Sequence, residues 1–417
     1  MSTTASDQPG VDKPRFRDAL RDLPGRVWII SFGILVNQVG NFLPVFIVLY
    51  LTNRGYSGIA SGFVLAASGL GKVLGNVVGG YLADKIGRRW TIVLSAVTTS
   101  GLTVFVPFLD ALPLIVVLVG LIGVTSQVYR PAAAALLVDS VSGDQQRLAA
   151  FGVFRFTQNV GAAVGGVIGG MLANTSYTEL FLGNAAACLL FGLVIAALLR
   201  DVPEQPSDQD DAHAQTGRSV GYREALADRV LVRFLVMTVF AEFVYIQSTV
   251  GLPLHVNDVG LSERDFGFLI GLNGLLVLTL ELPITAVVSR IRPEYVLAIG
   301  NLITGAGLAL TGLADGMTLL LGTVLVWTLG EMITSSVSMA YLGSLAPPHM
   351  VGRYQGLYGV AYTTGTGISP LIGGALYSLG SWVLWGMVGV AGVLSAQFSL
   401  PRRGAASKAN KQETIDD

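Results

Sequence analysis

Several charged side chains stand inside stretches that are otherwise almost wholly apolar. Glu331 interrupts "TLLLGTVLVWTLGEMITSSVSMAYLGSL" (318–345), about 13 residues from its start. Glu242 lies at a similar depth in 230–255 and Lys72 in 59–83, while Glu281 and Arg130 fall in 266–288 and 113–138. A charge in the middle of a membrane span costs about 2.5–3.5 kcal/mol on insertion scales. Such a cost is rarely carried without use. A carboxyl at that depth suits proton transfer. A proton arriving from one side neutralises it, and a cationic cargo arriving from the other claims its charged form. Proton and cargo then compete for one site, which is exchange. Glu331 is the candidate proton carrier and Glu242 a second acidic contact. The plainer alternative is a buried ion pair that staples helices, with Lys72 or Arg130 as partner. Glu281 could also cap a kink beside Pro283.

Helical spacing extends these positions into stripes. Trp327, Glu331, Thr334 and Ser338 share one face, as do Glu242, Tyr245 and Thr249. Asn37 and Asn41, then Ser68, Lys72 and Asn76, form two more, and Tyr358 and Tyr362 follow Gln355 in another. Arg155, Gln158 and Asn159 cluster, and Asn273 stands eight residues before Glu281. Trp327, Tyr245, Tyr358 and Tyr362 suit flat lipophilic cations by stacking and cation–π attraction. Plain packing is the alternative for each ring.

The elements that must position these groups are membrane spans. The chain has 417 residues, 52% hydrophobic and 13% charged, against roughly 25% charged in a soluble domain. A span needs about 20 mostly apolar residues. Twelve are read, at 27–51, 59–83, 90–109, 113–138, 148–173, 179–199, 230–255, 266–288, 295–314, 318–345, 353–379 and 381–400. They divide into six-span units at 27–199 and 230–400, joined by a polar, acidic linker at 200–229 and flanked by polar tails at 1–26 and 401–417. With both termini in the cytoplasm, 21 of the 26 Lys and Arg fall on the inner side. Two, Arg54 and Arg264, fall outside, and Lys72, Arg130 and Arg155 lie within spans. That asymmetry fixes the expected orientation. The first 26 residues lack a signal-peptide core, so the first span is the expected targeting element.

A net charge of −1 argues against nucleic acid as a partner. A single cysteine, Cys188, excludes an intrachain disulfide. His213, His255 and His349 are scattered and no nucleotide loop is present, so neither enzyme chemistry, metal nor cofactor is expected.

The two halves repeat each other. "DSVSGDQQRLAAFGVFRFTQNVGAAVGGVIGG" (139–170) lies over "LAPPHMVGRYQGLYGVAYTTGTGISPLIGG" (345–374), pairing Gly169-Gly170 with Gly373-Gly374. "ADKIGRRWTIVLS" lies over "VSRIRPEYVLAIG" at an offset of 205. One six-span unit used twice in the same orientation is a secondary-transporter design, with cargo bound near mid-membrane between the halves.

"GGYLADKIGRR" resembles the loop 2–3 signature of the major facilitator superfamily, G-x-x-x-D-[RK]-x-G-R-[RK], with Gly80, Asp84, Lys85, Gly87, Arg88 and Arg89 in place. "GAAVGGVIGG" (161–170) resembles the span 5 signature of the drug/proton antiporter branch, G-x-x-x-G-P-x-x-G-G, with Gly166 at the proline position. The stretch 328–359 looks like span 10 and loop 10–11 of multidrug exporters that carry an acid in span 10. The arginine followed by Gln-Gly that the branch carries in span 4 is absent from "LIVVLVGLIGVTSQ", and Arg130 lies lower.

The resemblance implies an all-α membrane protein of twelve helices in two pseudo-symmetric six-helix bundles, sited in a bacterial inner membrane and sufficient as a monomer. It implies that spans 1, 4, 7 and 10 line the cavity. Asp84, Arg88 and Asp139 would latch the halves when the outer face is open, with Gly87 making the turn and the span 11 N-terminus near Arg353 facing Asp84. Gly161, Gly165 and Gly169 recur every four residues and leave a smooth face; with Gly166, Gly170 and Pro370 they are read as packing positions at the moving seam. The expected function is proton-coupled export of lipophilic, cationic drugs or hydrophobic metabolites. A proton-coupled importer, a dedicated single-metabolite exporter and a non-transporting sensor are the alternatives.

Overall fold

The computed structural model describes residues 22–141, 144–199, 220–347 and 350–401. Every regular element among them is a helix. Span 1 is α1 (Gly25–Val39) with α2 (Leu43–Asn53), span 2 is α3 (Gly58–Ile86) and span 3 is α4 (Arg88–Val104). Span 4 is α5 (Leu112–Thr125) with α6 (Tyr129–Asp139), span 5 is α7 (Asp144–Thr175) and span 6 is α8 (Tyr177–Leu198). A short α9 (Val220–Ala227) leads into the second half. There span 7 is α10 (Arg229–Ile246) with α11 (Gly251–Asp258), and spans 8 and 9 are α12 (Glu263–Val288) and α13 (Pro293–Leu310). Spans 10, 11 and 12 are α14 (Met317–Leu345), α15 (Val351–Leu379) and α16 (Ser381–Ser399).

Ten of the twelve are long and apolar enough to cross a membrane by length and composition. The other two, spans 5 and 11, are 32 and 29 residues long, but glycine and polar residues dilute them. The linker differs from its sequence reading at its end. Residues 200–219 lie outside the described residues, as do the tails 1–21 and 402–417, but 220–227 is helical. Asp228 then caps span 7, its Oδ1 accepting from the Val230 amide at 2.8 Å and its Oδ2 from the Tyr354 hydroxyl at 2.9 Å.

Spans 1, 4 and 7 are each broken near mid-length, at 40–42, 126–128 and 247–250, whereas span 10 runs unbroken. At the first break Pro44 lacks an amide proton, and the Leu43 amide donates to Asn184 Oδ1 at 2.9 Å. The backbone group freed by the break is thus satisfied inside the bundle. The break in span 4 falls just ahead of Arg130.

The halves meet along span 5 with span 8, span 2 with span 11, and α2 with α11. Glycine makes these approaches possible. A methyl group at Gly170 would stand 2.8 Å from Gly267 Cα and 2.9 Å from the Glu263 carbonyl oxygen, and one at Gly62 2.5 Å from the Pro370 carbonyl oxygen. The seam is therefore carried by Gly166, Gly170 and Pro370. The expected stripe Gly161, Gly165 and Gly169 turns the other way, against Gln38, Val39 and Phe46 of span 1 in the same half. Adjacent glycines divide the two duties in both copies of the repeat. Gly169 packs on span 1 and Gly170 across the seam; Gly373 packs on Gln247 of span 7 and Gly374 across the seam on Gly58.

One end is closed. There Glu263 of span 8 accepts from Asn53 Nδ2 at 2.5 Å and from the Tyr177 hydroxyl at 3.0 Å, both in the other half. Phe46 and Phe266 cross edge to face below it, with centroids 5.6 Å apart. Toward loop 2–3 the halves part, and Gly80, Gly352 and Gly359 meet open space.

Candidate functional site

Between the halves lies a cavity of about 450 Å³, within the range of small-molecule sites. Its N-terminal wall presents Asn37 and Asn41 from the break in span 1, Lys72 and Asn76 from span 2, and Arg130 from span 4. Spans 7 and 11 close it with Ile246, Thr249, Tyr362 and Pro370. The break in span 4 lets Arg130 stand exposed to this space. Lys72 and Arg130 are near enough to feel each other's charge. Among the described residues neither makes an ion pair.

Glu242 lies one turn before Ile246 on span 7, and Glu331 sits on unbroken span 10. Both are half-buried and close enough to interact electrostatically. Glu331 turns inward. Its Oε2 accepts from Asn273 Nδ2 of span 8 at 2.9 Å, and the same amide reaches Thr328 Oγ1 at 3.0 Å. The Tyr245 hydroxyl lies against the Glu331 carboxyl. Glu242 occupies space left by Gly365, where a methyl group would stand 2.6 Å from the Glu242 Cβ. Tyr362 links the two walls, since it lies within reach of both Glu242 and Arg130. Its ring is 6.2 Å from that of Tyr358, which in turn stacks on Phe234 at 6.0 Å.

Three expectations change. Trp327 is 1% exposed. It packs against the Gly307 backbone and edge-on to Tyr245 at 6.4 Å, so it backs the cavity wall instead of offering a stacking face. Thr334 likewise leaves the Glu331 face and contacts Gly300 of span 9. Glu281 is absent from the cavity lining, as are Glu242, Glu331, Tyr245 and Tyr358, and it pairs with neither Lys72 nor Arg130. Its partner is Arg155, in an ion pair across the seam of spans 5 and 8, with Ser335 Oγ at 3.5 Å. Gly365 is the residue that sequence spacing did not single out. Asn273 belonged to a visible stripe, but its partner lies on another helix.

The loop 2–3 residues are held by their own half. Gly87 adopts a φ of 83°, open to glycine, at the turn between spans 2 and 3. Arg88 forms an ion pair with Asp139 and donates to the Ala135 carbonyl at 3.2 Å. Arg89 donates to the Ala196 carbonyl and covers Trp90. Asp84 is exposed, and among the described residues it makes no ion pair. With this end open, the Arg88–Asp139 part of the expected latch is formed and Asp84 joins no ion pair among the described residues.

Two bundles meeting at glycine seams around a mid-membrane polar cavity define a secondary transporter fold. The chain belongs to the Major Facilitator Superfamily, whose family model matches residues 30–363 and 248–414. It is 28% identical over 370 residues to YqjV of Bacillus subtilis (strain 168), an uncharacterized MFS-type transporter, covering 86% of this chain and 88% of that one. It is 25% identical to a Na(+), Li(+), K(+)/H(+) antiporter of Planococcus maritimus, over 78% and 83% of the two chains. It is 22% identical to the multidrug resistance protein MdtH of Escherichia coli, over 92% and 96%. The fold is shared with a bacterial homolog of the human lysosomal transporter Spinster, solved inward-facing and occupied: TM-score 0.72, 13% identity, 93% and 97% covered. It is also shared with a peptide transporter POT in complex with sulfate: TM-score 0.73, 15% identity, 93% and 97% covered. These relatives are transporters, not enzymes.

Proposed function

We propose that this membrane transporter exchanges protons for a small, largely apolar cargo by alternating access, with Glu331 as the principal proton carrier and Glu242 beside it. The observation that carries the reading is the company Glu331 keeps. Neutral donors, the Asn273 amide and the Tyr245 hydroxyl, hold its carboxyl, and among the described residues no cation pairs with it. A carboxyl held this way is free to change protonation state, whereas one locked to an arginine stays charged. The antiporter and the multidrug protein among the relatives support exchange and export at low identity. By the excess of Lys and Arg on loop 2–3 and its neighbours, the open end is the cytoplasmic one, and the protein sits in the plasma membrane with both termini inside. Its bundles are 27–199 and 230–400, and one copy suffices for transport.

The test is cargo uptake into everted vesicles under an imposed pH gradient. Wild type should respond to the gradient, and Glu331→Gln should lose that response at equal abundance. Uptake indifferent to the gradient in both would end the proposal. Proton-coupled import on the same scaffold is the second reading. The cations on the cavity wall favour it, because a wall bearing Lys72 and Arg130 is not built for a simple cationic drug.

A further inference from the structure

The cavity between the halves is electrically one-sided. Lys72 of span 2 and Arg130 of span 4 both line it, and among the described residues its lining holds no aspartate or glutamate. The two helices that carry these cations pack backbone on backbone. A methyl group at Gly75 would stand 2.1 Å from the Val124 carbonyl oxygen, and one at Gly79 2.3 Å from that of Val128. Lys72 precedes the first of these contacts along span 2, and Arg130 follows the second along span 4, so the close seam fixes both on one wall. Other arginines of the chain are given an acid: Arg54 has Asp110, Arg88 has Asp139 and Arg155 has Glu281. Among the described residues Lys72 and Arg130 have none. Two like charges held on one wall between apolar helices, without a counter-ion, are costly to keep. A chain that needed them only for packing would pair or lose them. The missing negative charge is left for a bound molecule to bring.

We infer that the cargo is an amphiphilic organic anion: a compact apolar body carrying one carboxylate or similar oxyanion, which Lys72 and Arg130 hold. The guanidinium of Arg130 offers paired donors that match two oxygens of such a group, and the ammonium of Lys72 adds a point charge. Asn41, Asn76 and Gln127 line the same space, and their amides are donors suited to the remaining lone pairs. Leu65, Val73, Phe191 and Ile246 give the body its apolar surroundings. The cavity, about 450 Å³, is of the size that takes a small organic molecule. A lipophilic cation would meet two positive charges and no acid in this lining. A neutral molecule would shield both cations from water and match neither. The inference deepens the proposed function by naming the charge of the cargo. It rests on the transporter reading, but on neither the direction of transport nor proton coupling.

Three fluorescent probes with one apolar body and different charges test it at neutral pH, with the purified, full-length protein in an uncharged detergent. Dansylglycine is an anion, dansylglycinamide is neutral, and N-(2-aminoethyl)dansylamide is a cation. Fluorescence titration should show dansylglycine binding about ten-fold or more tightly than the amide, as charge-assisted bonds replace neutral ones, and the cation binding no better than the amide. Lys72→Gln and Arg130→Gln should each remove most of the preference for dansylglycine and leave the amide's affinity unchanged. Arg290→Gln, at an exposed position outside the cavity lining, should alter neither. Wild-type protein binding the amide or the cation as tightly as dansylglycine would overturn the inference, and that comparison needs no variant to fold. Lys72→Gln and Arg130→Gln weakening dansylglycine and the amide alike would overturn it too, because the cations would then be structural. So would an equal loss in Arg290→Gln, because the attraction would then be to the charge of the whole protein. No gradient is imposed, so loss of gradient response in vesicles refutes proton exchange and leaves this result standing, and the converse also holds.

Discussion

Placing a side chain at Gly170 tests whether the seam holds the structure in its present state. A Cβ there would sit 2.8 Å from Gly267 Cα and 2.9 Å from the Glu263 carbonyl oxygen. Both obstacles are backbone, so neither can swing aside as a flexible side chain could. Inserting atoms into a close-packed contact costs about 1–3 kcal/mol. The contact exists only where span 5 meets span 8 at the closed end, so the cost falls on this state and is relieved when that end opens. A bias of about 1–3 kcal/mol shifts a two-state equilibrium about 5- to 150-fold. Gly170→Val should therefore favour the alternate, oppositely opened state. Gly169→Ala is the control. Its Cβ would meet Phe46 and Phe42 of the same half, a contact both states keep, so it should lower thermal stability and leave the equilibrium unmoved. The assay is the spin-label distance between cysteines at Asp110 and Arg264, exposed on opposite halves at the closed end, in a Cys188→Ala background. Gly170→Val should add or enlarge a longer-distance population, and Gly169→Ala should not. An unchanged distribution in folded Gly170→Val protein would refute the account of the seam.

Asp84→Asn should cut transport while abundance in the membrane stays constant, because Asp84 joins no ion pair among the described residues in this state and is needed only when loop 2–3 closes on span 11; full activity would remove the latch. Arg155→Glu should impair transport, and adding Glu281→Arg should restore part of it, since the pair crosses the moving seam; failure of the swap to rescue would mean the pair is incidental. Asn184→Ala should lower the melting temperature of the purified protein, because the buried Leu43 amide loses its acceptor at a cost of about 1–3 kcal/mol; an unaltered melting temperature would show that the break in span 1 is satisfied another way.

The architecture was legible because lipid imposes so coarse a constraint. About 20 apolar residues in a row have few other uses, and the read spans fall within a few residues of the helices at nearly every boundary. Glu242 and Glu331 were legible for the same reason, since a carboxylate inside such a run announces itself. Partners were not legible, because they depend on which way neighbouring helices are turned. Glu281 meets Arg155, 126 residues away, and Asn273 meets Glu331, 58 away, and no local spacing encodes either. Trp327 shows the limit of stripe arguments. It lies one turn from Glu331, yet the 100° step between residues leaves four-residue neighbours 40° apart, enough to carry the ring into the core against Tyr245. The breaks in spans 1, 4 and 7 also escaped the apolar pattern, which records burial in lipid but not the continuity of the backbone ladder.

The doubled glycines have a consequence for how this chain tolerates change. In Gly169-Gly170 and in Gly373-Gly374, one member grips its own bundle while its neighbour, a third of a turn around the helix, serves as a bearing for the other bundle. Inserting one residue upstream within span 5 would carry Ile168 to the grip and Gly169 to the bearing, and deleting one would carry Gly170 to the grip and Met171 to the bearing; span 11 shifts likewise, with Ile372 or Ala375. Either change would put bulk on one of the two close contacts, even with composition and span length almost unaltered. Drift in those two helices should thus be confined to substitution, while length variation collects in the connections outside the membrane.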